Sequence, residues 1–360
     1  MKKMFRILAI NPGSTSTKIA VYDNEELLFE KVVTYSNEEL ASFQSLIEQY
    51  EMRQNDILQI LKEKNIDSNT LDAVVGRGGL LKPMEGGTYI VNQEMVDALR
   101  RAERGEHASN LGGLIAKRIA DPLHIPSYIV DPVTVDELSS IARLSGLPGY
   151  DRVSIFHALN QKAVARKISK ELGRSYHDVN LIIAHMGGGV TVGVHQGGKV
   201  IDVNNGLYGE GPFSPERTGG IPTGHMLELC FSGKYTLSEM KKIIVGKGGL
   251  VAYLGTNDGR EVGKRIKVGD EKAKLVYEAM SYQIAKEIAG DAAVLFGKVD
   301  AIVLTGGLAY DTMLVKLISD RVKFIADVKV VPGENEMMAL AEGALRVLRG
   351  EEQGREYTLF

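Results

Sequence analysis

The chain is predicted to be a duplicated α/β protein of two related halves facing a central cleft, and three observations predict it. The apolar run Ile7-Leu-Ala-Ile-Asn-Pro-Gly13, continued by Ser14–Val21, recurs as Leu181-Ile-Ile-Ala-His-Met-Gly187 continued by Gly188–His195. Asp72-Ala-Val-Val-Gly-Arg-Gly-Gly79 recurs as Asp300-Ala-Ile-Val-Leu-Thr-Gly-Gly307. Each copy is a short apolar run, a glycine-rich turn and further structure, as expected of repeated strand-turn units. Small-residue turns along such a cleft can hold phosphates on backbone N–H groups, which points to nucleotide chemistry.

The elements follow in order. Residues 5–11, 17–23 and 27–35 form a three-strand meander, turned at Asn11-Pro-Gly13 and Asp23-Asn24. Asn37 caps a long amphipathic helix reaching about Asn65, and Leu71–Gly76 is a buried strand. Helices near 92–104 and 109–121, the second closed by Pro122, lead to the strand Ser127–Val130. A loop or short helix over 138–152, with Gly146, Pro148 and Gly149, serves as a hinge before a helix at 155–172. The second meander has strands Leu181–Ala184, Thr191–Val194 and Lys199–Val203. Residues 205–270 break the repeat as a loop-rich insertion with one helix near 224–231. A helix at 271–296, the strand Ala301–Leu304, a helix at about 310–320 and the strand Val328–Val331 complete the second half. The last helix, 336–349, crosses back to pack on the first half. The expected domains are therefore 1–152 with 337–360, and 153–336.

Composition narrows the function classes. A length of 360 residues favours two domains, each with its own core. The formal net charge of −3 gives no reason to expect a nucleic-acid partner, since such proteins are more often basic. Cys230 is the only cysteine, so internal disulfides and cysteine-based zinc sites are excluded, which suits a reducing cytoplasm. The apolar run ending at Asn11 is too short for a signal or a membrane span, and no membrane partner is expected.

Common nucleotide signatures are missing: Gly233-Lys234 is followed by Tyr235 and Gly297-Lys298 by Val299, so neither is a P-loop. Polar residues at strand ends remain. Asn11-Pro-Gly-Ser14-Thr-Ser16-Thr-Lys18 either surrounds one anion with amides, hydroxyls and an ammonium or is simply a tight hairpin turn. His185-Met-Gly187-Gly188-Gly189 has three successive glycines, whose backbone entropy is worth losing where a ligand approaches the main chain. Thr305-Gly306-Gly307-Leu-Ala309 follows a strand and opens a helix, a third point of backbone contact with a nucleotide. Arg77 and Arg217 each stand in a glycine-rich turn, as phosphate or carboxylate ligands or as surface arginines. His157, after Phe156, is a functional imidazole or a half-buried structural one.

On these motifs the chain resembles the short-chain carboxylate kinases of the acetate kinase, sugar kinase, heat-shock ATPase and actin superfamily, and is most similar to the butyrate kinases. Asn11–Lys18, Val130-Asp-Pro-Val-Thr-Val-Asp-Glu137, Ile155-Phe-His157, Glu216-Arg-Thr-Gly-Gly220 and Pro332-Gly-Glu-Asn-Glu336 fall in family order. The resemblance implies an actin-like (ribonuclease-H-like) fold and reversible, Mg²⁺-dependent transfer from ATP to butyrate or a related short acid. It also implies a homo-oligomer in the cytoplasm. It gives Arg77 the substrate carboxylate and Arg217 with His157 the transferring phosphoryl, and places His107 at the substrate site. Asn11, Asp131 and Glu336 match positions that organise Mg²⁺ through its waters, although Asp131 before Pro132 is equally a turn cap. The phosphates fall to His185 and Gly187–Gly189, and adenosine to Asp258-Gly-Arg260 and Gly306–Ala309; Asn257-Asp-Gly259 is otherwise an ordinary turn. Chemistry agrees with two arginines, because an anion attacking an anion across 4 Å costs about 4 kcal/mol at an effective dielectric near 20. Gly79, two residues after Arg77, stands where acetate-specific relatives carry a bulky side chain, and is expected to enlarge the acyl pocket.

Overall fold

A computed structural model describes residues 3–358 as two compact units. One comprises the described residues up to Val135 together with those from Asn335 onward, and the other is Asp136–Glu334.

The first unit opens with the meander β1 (Arg6–Pro12), β2 (Ser16–Asp23) and β3 (Glu26–Thr34). Helices α1 (Asn37–Ala41) and α2 (Tyr50–Glu63) follow, then β4 (Ala73–Arg77) and β5 (Thr88–Ile90). Next come α3 (Gln93–Arg101), α4 (Asn110–Ala120) and β6 (Ser127–Val130). In the second unit α5 (Ser140–Arg143) and α6 (Ala158–Glu171) precede the meander β7 (Asn180–Met186), β8 (Val190–Gln196) and β9 (Lys199–Val203). Four helices, α7 (Thr223–Phe231), α8 (Leu237–Ile244), α9 (Gly249–Leu254) and α10 (Gly259–Lys267), fill the insertion. Then come α11 (Glu271–Val294), β10 (Ala301–Gly306), α12 (Thr312–Val322) and β11 (Val328–Pro332). The chain returns to the first unit with α13 (Glu336–Leu348) and β12 (Arg355–Glu356).

The duplication is visible in strand order. Unit one reads β12-β5-β6-β4-β1-β2-β3 and unit two β11-β10-β7-β8-β9, so the second order is contained in the first. Register repeats as well: Ile7 lies level with Ala73, and Leu181 with Ala301. One aspartate sets that register in each half. The Arg6 N–H donates to the Asp72 carboxylate (2.7 Å) while the Asp72 N–H donates to the Arg6 carbonyl (2.8 Å). Asn180 and Asp300 make the same two bonds at 2.7 and 2.8 Å.

Alternation then distributes the core. In unit two Ile182 and Ala184 face α11 and α12 through Tyr277, Met280, Ile284, Leu314 and Ile318, while Leu181 and Ile183 face Val164, Ala165 and Ile168 of α6. In unit one Leu8, Ile10 and Val74 pack on Ile57, Leu61, Leu111 and Ile115 of α2 and α4. Helix α13 takes the opposite face, with the Gly343 α-carbon against Val130. Among the described residues no helix is long and apolar enough to cross a membrane.

Several sequence expectations change. Ser36, not Asn37, caps α1 in a capping box with Glu39, and the expected long helix is broken by a bend and a 3₁₀ turn at Leu46–Gln49. Strands β5 and β12 are too short for a periodic signal. The domain division falls at 135/136 and 334/335 instead of 152/153 and 336/337. Residues 136–152 are tied to unit two by Lys162 on Glu137 (2.8 Å), by the Ser139 N–H on the Ile201 carbonyl (2.9 Å) and by Arg152 on Asp202 (2.8 Å).

Candidate active site

In an open α/β sheet the backbone beyond the carboxyl ends of parallel strands is left for ligands. In unit one those ends carry Asn11, Arg77 and Asp131. Ile10 stands level with Gly76 and Gly76 with Ile129, so Asn11, Arg77 and Val130 form one row, with Asp131 a residue beyond. Glu336, the first residue of α13, joins the row: one carboxylate oxygen pairs with Arg77 and the other accepts from Asn11 Nδ2 (2.7 Å). Asp131 is buried with φ at 37°, a left-handed conformation rare for a side chain other than glycine. Its Oδ1 accepts the Gly87 N–H at 2.7 Å, the turn-holding role that the sequence left open.

His107 lies beside this row. Its Nδ1 accepts the Ser109 N–H (3.2 Å) and meets the Ser109 hydroxyl at 2.7 Å, so the neutral ring carries its proton on Nε2. Crowding of the imidazole and then the nearby Arg77 charge hold its pKa below the ordinary histidine value. Arg77 and His107 thus supply a cation and a neutral N–H donor, a pair suited to one carboxylate.

The hairpin turn after Asn11 is tight: the Gly13 N–H donates to the Ser16 carbonyl at 2.7 Å. Arg53, fully buried on α2, holds it from below, donating to the carbonyls of Gly13 (2.8 Å), Ser14 (3.0 Å) and Ser16 (2.9 Å). With those carbonyls drawn inward, Ser14 and Ser16 sit on the outer part of the turn. The ammonium of Lys18 is engaged elsewhere, on Glu30 at 2.9 Å. Arg53 had a sequence signal, a cation in the apolar stripe shared with Ile57, Ile60 and Leu61.

Gly79 corrects an expectation. A side chain there would meet Asn110 Oδ1 at 2.4 Å and Leu99 Cδ2 at 2.8 Å, so the space is filled by the protein and adds no acyl pocket. Asn110 is held in place by the Leu80 N–H, 2.8 Å from its Oδ1.

In unit two the corresponding row is His185, Thr305 and Val331, followed by glycine turns at 187–189, 306–307 and 333. His157, the residue before α6, stacks on His185 with centroids 3.8 Å apart and planes 12° from parallel. His185 Nδ1 is 2.8 Å from Asn160 Oδ1 and its Nε2 is 3.0 Å from Glu334. The Arg217 guanidinium lies on the Gly189 α-carbon, where a Cβ would come within 2.0 Å of Nη1, and donates to the Gly206 carbonyl at 2.7 Å. Burial lowers its pKa, opposed by the Glu216 charge.

The three glycines therefore differ. Gly189 makes room for Arg217 and Gly188 lies close to Glu216, whereas a Cβ at Gly187 would meet only ordinary contacts, the shortest 3.4 Å. Glu216 accepts from Asn257 Nδ2 (2.6 Å), bringing the Asn257–Arg260 loop to the same turn. Asp258 caps α10, and Arg260 folds back on it at 2.9 Å. Gly259 packs against Leu308 of the 3₁₀ turn Gly307–Tyr310, which also holds Ala309, and Gly306 (φ 88°) lies against the Met186 carbonyl. The nucleotide candidates of unit two thus converge around the ends of β7 and β10.

Taken together, fold and strand-end turns define a duplicated actin-like α/β protein, and residues 151–340 match the profile of the acetokinase family. The chain belongs to that family. It is similar to the crystal structure of an acetate kinase from Porphyromonas gingivalis, with 20% identity, TM-score 0.81, and coverage of 96% of this chain and 100% of that one. A propionate kinase from Francisella tularensis subsp. tularensis matches at 20% identity and TM-score 0.76, over 94% and 99% of the two chains. A ROK family protein from Streptococcus pneumoniae, solved with sucrose, aligns over 97% and 100% at 12% identity and TM-score 0.52. At these identities the likeness is one of fold.

Proposed function

We infer that the protein is a carboxylate kinase that moves the γ-phosphoryl of ATP reversibly to a short-chain fatty acid, butyrate or a close homologue. The observation carrying this reading is the state of the carboxylates at the edge of unit one. Glu336 is engaged by Arg77 and Asn11, and Asp131 Oδ1 by the Gly87 amide. A kinase for sugars needs a carboxylate base to deprotonate a hydroxyl, whereas a carboxylate substrate is already a nucleophile. The acid is assigned to Arg77 and His107. The triphosphate is assigned to Gly187, the turns at Gly306–Ala309 and Asp258–Arg260, and the hydroxyls and amides of Ser14 and Ser16.

In-line attack builds charge on the equatorial phosphoryl oxygens. That charge is assigned to the Arg217 guanidinium and the His157 imidazole, both held by protein contacts. Asn11, Glu336 and Asp131 form an all-oxygen donor set, and among the described residues no trio of His, Cys, Asp or Glu is arranged to grip a bare ion. That fits Mg²⁺ held through its waters and the phosphates, where it would neutralise phosphate charge.

Butyrate as the particular acid is supported by the motif series, since Gly79 opens no space. Incubation with ATP, Mg²⁺, butyrate and hydroxylamine should trap acyl phosphate as hydroxamate. No hydroxamate from any acid of two to six carbons would end the reading. Comparing kcat/KM across linear and branched acids names the preferred one, with steps set by about 0.8 kcal/mol per buried methylene.

A further inference from the structure

We propose that a buried chain of hydrogen bonds, Tyr176–His195–Gln161–Thr191–His157, sets the tautomer of His157, so that its proton sits on Nε2 as a donor to the phosphoryl in flight. The direction of the chain follows from one amide. Gln161, fully buried on α6, has Nε2 3.1 Å from the Thr191 carbonyl and 3.0 Å from the Thr191 hydroxyl. A carbonyl oxygen only accepts, so the nitrogen end of that amide faces Thr191 and the oxygen end faces His195. Gln161 Oε1 is 3.1 Å from His195 Nε2, which must then carry a proton, and His195 Nδ1 accepts from the Tyr176 hydroxyl at 2.8 Å. His195 is wholly buried, and burial with the Lys162 and Arg166 charges drives its pKa well below the usual value, so the ring is neutral with one N–H.

At the other end, the Thr191 oxygen already accepts from Gln161. Its own hydrogen then has His157 Nδ1, 2.9 Å away, as acceptor. Were Nδ1 protonated, a fully buried hydroxyl hydrogen would be stranded, at about 1–3 kcal/mol. His157 is thereby left with its proton on Nε2, while stacking on His185 fixes the ring plane. Gly193 belongs to the device: a side chain there would come within 2.4 Å of Gln161 Oε1. Gln161, Thr191 and His195 are positioning residues, and their effect on rate rests on the assignment of His157 to the phosphoryl.

The test joins a spectrum to kinetics. In the full chain labelled with ¹⁵N-histidine, the His157 signals, identified by their loss in His157→Ala, should show a protonated Nε2 and a bare Nδ1. Gln161→Glu removes the donor; the Thr191 hydroxyl then turns toward the carboxylate and His157 should move its proton to Nδ1. Thr191→Val should lower kcat about 10–100-fold with KM for ATP within about twofold, and Thr191→Ser should restore it. A wild-type His157 protonated on Nδ1, or a Thr191→Val enzyme with unchanged kcat, overturns the proposal. Should Gln161→Glu not fold, the wild-type spectrum and the Thr191 pair decide. The spectrum needs no turnover, so failure of the kinase reading leaves it interpretable.

Discussion

Level with one another at the ends of their strands stand Asn11, Arg77 and Val130 in the first unit and His185, Thr305 and Val331 in the second. The backbones around these rows are alike, yet their surfaces are not. The first edge is charged and cross-linked, with Arg77 and Asn11 each bonded to Glu336. The second is rich in main chain, with glycine at 187–189, 306–307 and 333, stacked imidazoles beside it and the Arg217 guanidinium across Gly189. Under the proposed function, the charged row would serve the small carboxylate and the glycine-rich row the long polyphosphate. Each half also supports its first turn with one guanidinium, but Arg53 is buried under the turn while Arg217 lies across Gly189 at the site itself.

That difference between the two arginines can be broken experimentally. Arg217→Ala should lower kcat about 10³-fold, the scale of a guanidinium acting on a transferring phosphoryl, while losing no more stability than the one stranded Gly206 carbonyl costs, about 1–3 kcal/mol. A kcat within tenfold of wild type, measured by coupled ADP release, removes Arg217 from the reaction. Arg53→Met should act the other way. It strands the carbonyls of Gly13 and Ser14, each at about 1–3 kcal/mol, while Ser16 keeps the Gly13 N–H, so urea unfolding should report at least about 2 kcal/mol lost. A loss under about 1 kcal/mol shows that the turn holds itself.

The charged edge is sharpened by Arg77→Ala. Deleting a charged hydrogen-bond partner of a carboxylate, worth about 1.5–3 kcal/mol, should raise KM for the acid about 10–100-fold and leave KM for ATP within about twofold. Equal effects on both substrates contradict the division of labour.

The smallest effect concerns the body of unit two. Asp291 has a buried carboxylate oxygen without a hydrogen-bond partner, and burial, with Glu287 and Asp202 nearby, raises its pKa well above the usual carboxyl range. A raised carboxyl pKa means that the folded state favours the protonated form. The resulting penalty is absent below the unfolded pKa of about 3.9 and grows as pH rises toward the folded value. Asp291→Asn should therefore stabilise the chain by about 1 kcal/mol at pH 8 and by nothing near pH 3. Equal Tm gains at both pH values would refute this origin.

Much of the fold was legible because repeated apolar runs with glycine turns can bury their backbone in few ways. Strand β9, Lys199–Val203, and strand β6, Ser127–Val130, stand where the alternation placed them. The insertion was less legible: α8 is announced by the capping box Thr236–Glu239 and α10 by Asp258, but their many glycines and exposed faces blur the helical period. At the site, residue types at strand ends were readable, whereas their partners were not. Nothing in the linear order joins Gln161 to Thr191 or Glu216 to Asn257, and the empty space inferred at Gly79 belonged to Asn110.

What the chain order determined alone is the duplication, its strands, and the polar side chains placed just past them, because hydrophobic periodicity and turn chemistry are local. What only tertiary structure decided is the state of those side chains. Lys18 is taken by Glu30, Glu336 by Arg77 and Asn11, and the Thr191 hydroxyl lies between Gln161 and His157. Hydrogen bonds are directional and short, so which donor meets which acceptor depends on ångström-scale packing of elements far apart in the chain.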